Sequence, residues 1–138
     1  MIVSASDNKH LLQDAFAALE KGDGKPFMDC MSDDFAWTVV GTTPWSRTYS
    51  GKAVVLGELF TPLFAQFKDR YTNTALRFIA EGDYVVVECR GRVTTRSGQA
   101  YNNSYCYVCR FANGRMSELT EYLDTALVEK ALAPPKSA

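Results

Sequence analysis

Hydrophobic positions fall into two regimes along the chain. In residues 6 to 23, Leu11, Leu12, Ala15, Phe16 and Leu19 recur at helical spacing, with Ser6 or Asp7 able to cap the start and Gly22 to end it. Residues 25 to 31, "KPFMDCM", suit a short helix with Pro26 in its first turn. The stretch "DDFAWTVVG" predicts a strand, followed by a polar loop, "TTPWSRTYSG". Residues 52 to 69 are helical in pattern, and Pro62 is expected to kink or interrupt them.

From Tyr71 onward the period changes from helical to extended. "TNTALRFIA", "YVVVECRGRVTT", "AYNNSYCYVCRF" and "RMSELTEYLD" read as strands, divided by turn signals at Gly82-Asp83, Ser97-Gly98 and Asn113-Gly114. "TALVEKALA" predicts a short closing helix that Asp124 can cap, and residues 134 to 138 a frayed tail. Helices first and an antiparallel sheet second is an α+β arrangement, here as one domain over residues 1 to 138.

Turn chemistry suggests a register. A two-residue loop at Ser97-Gly98 pairs Arg92 with Asn103, Arg90 with Tyr105 and Glu88 with Tyr107. A three-residue loop, Ala112-Asn113-Gly114, then pairs Asn103 with Leu123, Tyr105 with Glu121 and Tyr107 with Leu119. On this reading Glu88, Arg90 and Glu121 share one face with the tyrosines, while Val85, Val87 and Cys89 turn to the other. A two-residue second loop would instead bring Thr120 and Tyr122 onto the tyrosine face.

Composition narrows the function classes. With 46% hydrophobic and 22% charged residues, a net charge of −1 and a pI near 5.8, the chain lacks the basic footprint of a nucleic-acid partner. No apolar run reaches the roughly 18 residues of a membrane span, and the first ten residues do not read as a secretory signal. A cytoplasmic location with four reduced cysteines is the expectation. Cys106 and Cys109 sit three apart on a strand and so face opposite ways, which argues against a shared metal. His10 suits a helix surface. No cofactor motif is present.

The segments "AFAALEKGD", "MSDDFAWTV", "YSGKAVV" and "NGRMSELTEYLD", in this order, resemble the SnoaL-like group of the nuclear transport factor 2-like superfamily. The resemblance implies a cystatin-like, cone-shaped fold: a strongly curved antiparallel sheet around N-terminal helices, with a deep hydrophobic pocket. It also implies a homodimer through the outer sheet face. The ketosteroid isomerase pattern does not carry over, since its base falls at Val39, its oxyanion tyrosine at Ala15 and its oxyanion acid at Tyr107. The limonene-epoxide hydrolase pattern places its arginine at Glu88 and its two aspartates at Arg90 and Glu121. Its water-holding tyrosine and asparagine fall at Trp37 and Val39. In polyketide-cyclase relatives a general-base carboxylate lies on the last strand, where Glu121 stands here.

These readings converge on a small-molecule pocket for a mostly apolar substrate. Glu121 would be the general base of a cofactor-independent isomerase, cyclase or hydrolase, with Arg90 stabilising an oxyanion and Glu88 orienting Arg90. Tyr105, Tyr107, Asn103, Arg92, Trp37, Val39, Leu119, Leu123 and Trp45 would line the pocket, Trp45 serving equally as a rim or dimer residue. The alternative is a ligand-binding or dimerisation module without chemistry, in which Glu88, Arg90 and Glu121 form a buried ion network that holds strand register.

Overall fold

The structure is a computed structural model describing residues 3–135, so most of the tail expected to fray lies outside the described residues. Helix α1 (Ala5–Leu19) begins two to three residues earlier than the expected caps, Ser6 or Asp7, would have it. Ser4 is the cap: its hydroxyl takes the Asp7 N–H while the Asp7 carboxylate takes the Ser4 N–H, each at 3.1 Å. Leu12, Ala15 and Phe16 bury against the sheet. Phe16 meets Phe27 of α2 (Lys25–Asp29) and Phe78 edge-on, with centroids at 5.8 and 5.7 Å.

Six strands follow: β1 (Met31–Val39), β2 (Thr48–Ser50), β3 (Thr72–Glu81), β4 (Tyr84–Arg92), β5 (Ser104–Ala112) and β6 (Arg115–Leu123). They form one curved, unclosed sheet in the order β2-β1-β6-β5-β4-β3, antiparallel throughout except for the parallel β1–β6 pair. The α+β expectation therefore holds. The loop read between residues 42 and 51 contains β2, whose Thr48 pairs with Thr38 and joins it through a 2.8 Å hydroxyl contact.

Between β2 and β3, α3 (Lys52–Val54) runs without a break through a π-helical turn (Val55–Phe60) into α4 (Thr61–Phe64). Pro62 does not interrupt this helix. Its missing N–H and bulky ring are accommodated by widening the preceding turn, where Thr61 donates its N–H to Leu56, five residues back. The Thr61 hydroxyl donates to the same carbonyl at 2.9 Å. Helix α5 (Thr125–Ala131) closes the chain, with the Asp124 carboxylate accepting the Leu127 N–H as a side-chain cap.

Register departs from expectation at both hairpins. The first loop has three residues, Arg96, Ser97 and Gly98, spanned by a Thr95 N–H to Gln99 carbonyl bond of 2.8 Å. Gly98 adopts φ +86°, the left-handed residue that completes such a loop. One extra loop residue moves the pairing by one, so Tyr105 meets Cys89, Tyr107 meets Val87 and Arg90 meets Ser104. Because side chains alternate, this turns Glu88, Arg90 and Arg92 to the outer face and Val85 and Val87 inward.

The second hairpin errs twice and recovers. Its loop has two residues, Asn113 (φ 54°) and Gly114 (φ 77°), the positive pair of a type I′ turn. That alone would expel Glu121 from the tyrosine face. A bulge at Ser117 then inserts one residue, between the Phe111–Met116 and Arg110–Glu118 pairs, and its hydroxyl donates to the Arg110 carbonyl at 3.2 Å. Glu121 comes back inside, opposite Tyr107, and Leu123 opposite Tyr105.

Candidate functional site

The concave face of the sheet and the helices enclose a cavity of about 360 Å³, within the usual range for a small-molecule site. Three neighbouring strands bring its floor together. Val39 pairs with Glu121 across the parallel β1–β6 ladder, and Tyr107 pairs with Glu121 from the other side. Trp37, two residues before Val39 and so on the same face, reaches over with its indole Nε1–H to Glu121 Oε1 at 2.9 Å.

Glu121 is 8% exposed and, among the described residues, has no cation beside it. Burial pushes its carboxyl up to about 7, the Trp37 N–H opposing only part of that rise. Its Oε2 takes no hydrogen bond from the described residues and can be reached from the cavity. A lone carboxylate with one oxygen tethered, one free, and an affinity for protons near neutrality can accept a proton from a bound molecule.

Beside Glu121 stands a cluster of phenols. The Tyr71 hydroxyl lies 3.3 Å from that of Tyr105, and Asn73 Nδ2 donates to Tyr71 and Tyr107 at 3.3 and 3.4 Å. Burial holds the Tyr105 and Tyr107 hydroxyls well above the ordinary phenol value and Tyr101 up to about 12, so all remain protonated donors at neutral pH. Rings complete the walls: Trp37 packs on Phe60 and Tyr107 with centroids at 5.4 and 5.5 Å, and Phe67 stacks on Tyr71 at 5.7 Å.

The expected site residues divide. Glu121, Trp37, Val39, Trp45, Tyr105, Tyr107 and Leu123 all line the cavity. Trp45 is 3% exposed and donates its indole N–H to the Ala133 carbonyl, which puts it on the cavity wall and removes it from the outer face. Leu119 is fully buried beneath the cavity wall. Asn103 is buried too, but its amide is committed within the protein. It donates to the Asp124 carbonyl and the Tyr101 hydroxyl, and accepts from the Ser104 and Asp124 N–H groups. It is a clamp between β5 and β6, with nothing left for a ligand.

The acid–arginine–acid cluster is corrected. Glu88 is half-exposed on the outer face, where it pairs with Arg77 at 2.7 Å, and Arg90 and Arg92 are exposed there. Neither an oxyanion role for Arg90 nor an orienting role for Glu88 is compatible with that side of the sheet. Cys106 and Cys109 do fall on opposite faces, half-buried and buried.

Tyr71, Asn73, Tyr101 and the rings of Phe60, Phe64 and Phe67 were missed. One signal was available: Gly91, inside β4 near its end, marks a close approach. A Cβ there would lie 2.7 Å from the Tyr71 hydroxyl and 3.0 Å from a Tyr105 ring carbon, so its absence is what lets the two phenols meet. Gly91→Ala is expected to spread the pair and cost about 1–3 kcal/mol by overpacking. Urea denaturation measures the cost; an unchanged midpoint would mean the rings move aside freely.

A model of the SnoaL-like domain matches residues 12–119. No curated protein matches the chain. Among solved structures, a nuclear transport factor 2-like protein from Burkholderia thailandensis is 24% identical, with 92% of this chain and 98% of that one covered and a TM-score of 0.77. A SnoaL-like polyketide-cyclase candidate from Jannaschia sp. CCS1 is 18% identical over 95% of this chain and 94% of its own, at a TM-score of 0.75. TerC, co-crystallised with polyporic acid, is 19% identical over 92% and 97%, also at 0.75. At such identities the likeness is one of fold.

Proposed function

The chain belongs to the SnoaL-like family, and from that premise we propose that it is a cofactor-independent acid–base enzyme of the isomerase, cyclase or hydrolase kind. The observation that carries the reading is Glu121: a buried carboxylate at the floor of an aromatic cavity, with a free oxygen facing the space a ligand would fill. Glu121 abstracts a proton from carbon and returns it elsewhere on the same molecule, or takes one from a water that adds to the substrate and passes it to the oxygen that the cleaved bond releases. Tyr107, directly across the strand pair, donates its hydroxyl to the oxygen on which charge develops, with Tyr105 beside it. Arg90 and Arg92, on the outer face, take no part in the chemistry. The substrate is small, flat and mostly apolar, and the setting is the cytoplasm, as composition suggests.

Exchange of the α-hydrogens of 2-tetralone in D2O tests this without knowledge of the substrate. It is a bicyclic ketone of a size the cavity accepts, and exchange followed by NMR reports proton abstraction alone. The protein is expected to accelerate exchange, with the rate rising through a single ionisation near pH 7 and level above it. Saturable binding without exchange would make the chain a ligand-binding module.

We also propose that the outer face of the sheet joins two copies. The cross-strand row Ile79–Val86–Val108 is apolar and ends on Thr120, Ile79 is 56% exposed and Tyr122 on the same face is 51% exposed. Ile79→Asp is expected to convert a dimer to a monomer in analytical ultracentrifugation. A wild-type monomer at micromolar concentration would overturn it.

A further inference from the structure

The cavity has an acid at its floor, and its lining contains a single cation, Arg70, at the mouth. Arg70 lies in the connection between α4 and β3, two residues before the strand, and across the turn between α1 and α2. A Cβ on Gly22 would come within 2.2 Å of Arg70 Cδ and 2.6 Å of Cγ, so the bare backbone there forms the lane in which the arginine stem rests. Gly22 and Gly24 line the same mouth.

The guanidinium in that lane is uncommitted. The three ion pairs among the described residues are Lys25–Asp29, Arg47–Glu58 and Arg77–Glu88, and Arg70 makes no side-chain hydrogen bond to any described residue. Its neighbour Asp69 also lines the mouth, but Asp69 Oδ1 is held by the Thr94 N–H at 2.8 Å. An exposed cation, positioned by packing yet left without a partner at the entrance of an apolar cavity, is a recognition group for an anion.

We propose that Arg70 selects ligands carrying a carboxylate at the end that remains at the mouth, while their apolar body lies among the rings. The proposal rests on the cavity being a ligand site, as above, but not on Glu121 performing chemistry. The physical logic is that a carboxylate is costly to bury and stays where water still reaches it. The floor repels it as well, since ionised Glu121 carries the same charge. A ligand is thereby oriented: acidic end at Arg70, reactive end at Glu121. Arg70 acts on binding and orientation alone.

The probes are 2-naphthoic acid and its methyl ester, which share a body and differ in charge, with affinity measured by quenching of tryptophan fluorescence near pH 8. Trp37 and Trp45 on the wall supply the signal. Arg70→Gln is expected to weaken the acid by about fivefold and leave the ester unchanged, and Arg70→Lys to restore part of the loss. Added salt should weaken the acid on the wild-type protein and leave Arg70→Gln indifferent. Equal loss of both probes would assign Arg70 to packing, and no loss of either would deny it a role; both outcomes overturn the proposal. If neither probe binds the wild-type protein, the ligand site itself fails and this reading with it. Binding of both without tetralone exchange would sink the chemistry of Glu121 and leave Arg70 standing.

Discussion

Glu121→Gln should slow the exchange of 2-tetralone by on the order of 10²- to 10⁴-fold while leaving the binding of 2-naphthoate methyl ester intact. Glutamine has the shape of glutamate, and its carbonyl oxygen can still accept the Trp37 indole N–H that now reaches Oε1 at 2.9 Å. What it lacks is a site for the proton. The cavity, its rings and the tyrosine hydroxyls are untouched, so loss of exchange with retained affinity isolates proton transfer from binding. A residual rate equal to wild type would remove Glu121 from the chemistry, and loss of both properties would mark it as structural.

The same substitution should make the protein more stable, by about 3 kcal/mol at pH 8 and by almost nothing near pH 4. The gap between an ordinary glutamate at 4.5 and Glu121 at about 7 sets that size, each pH unit being worth about 1.4 kcal/mol. The direction follows from which state holds the proton. In the unfolded chain Glu121 ionises as pH rises past 4.5, whereas in the fold it stays protonated until about 7. The wild type therefore loses stability across that window and is level beyond it, when the buried group has ionised at a desolvation cost. Glutamine pays no such charge, so the difference between the two proteins should open from pH 4.5 to 7. Urea titrations over this range measure it. A constant difference at every pH would mean that Glu121 titrates as a solvated carboxylate.

Together these two results would describe a functional group held at the expense of stability. Hundreds of cubic ångströms of aromatic cavity surround one carboxylate that a purely structural core would replace with leucine. Among the described residues no ion pair offsets its burial, and the Trp37 hydrogen bond compensates part of it. The earlier alternative, a buried ion network that holds register, fails because its other two members lie outside.

Much of the fold was legible in local pattern. Leu12, Ala15 and Phe16 at helical spacing found the buried stripe of α1, and the change to alternation after Tyr71 found four of the six strands. The missing strand β2 has three residues and is held through its pairing with β1, too short for a periodic signal of its own. Much of the site was legible as well, because Tyr105, Tyr107 and Glu121 belong to strands whose alternation is plain. The far wall was not, because Tyr71, Asn73 and the rings before them come from a helix end and the start of β3, which meet Tyr105 and Tyr107 only in the assembled cone.

By itself the sequence determined every strand but β2 and the main helices, that β5 and β6 each present one face to the interior, and that a carboxylate on the last strand is the residue to watch. Tertiary structure alone decided which charges keep it company. A left-handed Gly98 adds one residue to the first hairpin loop and sends Glu88, Arg90 and Arg92 to the outside, while a bulge at Ser117 cancels the parity of the Asn113-Gly114 turn and returns Glu121 to the cavity. The physical reason is the two-residue repeat of a strand. A single inserted residue reverses every side chain beyond it, and whether one is inserted depends on how the whole sheet curves and packs.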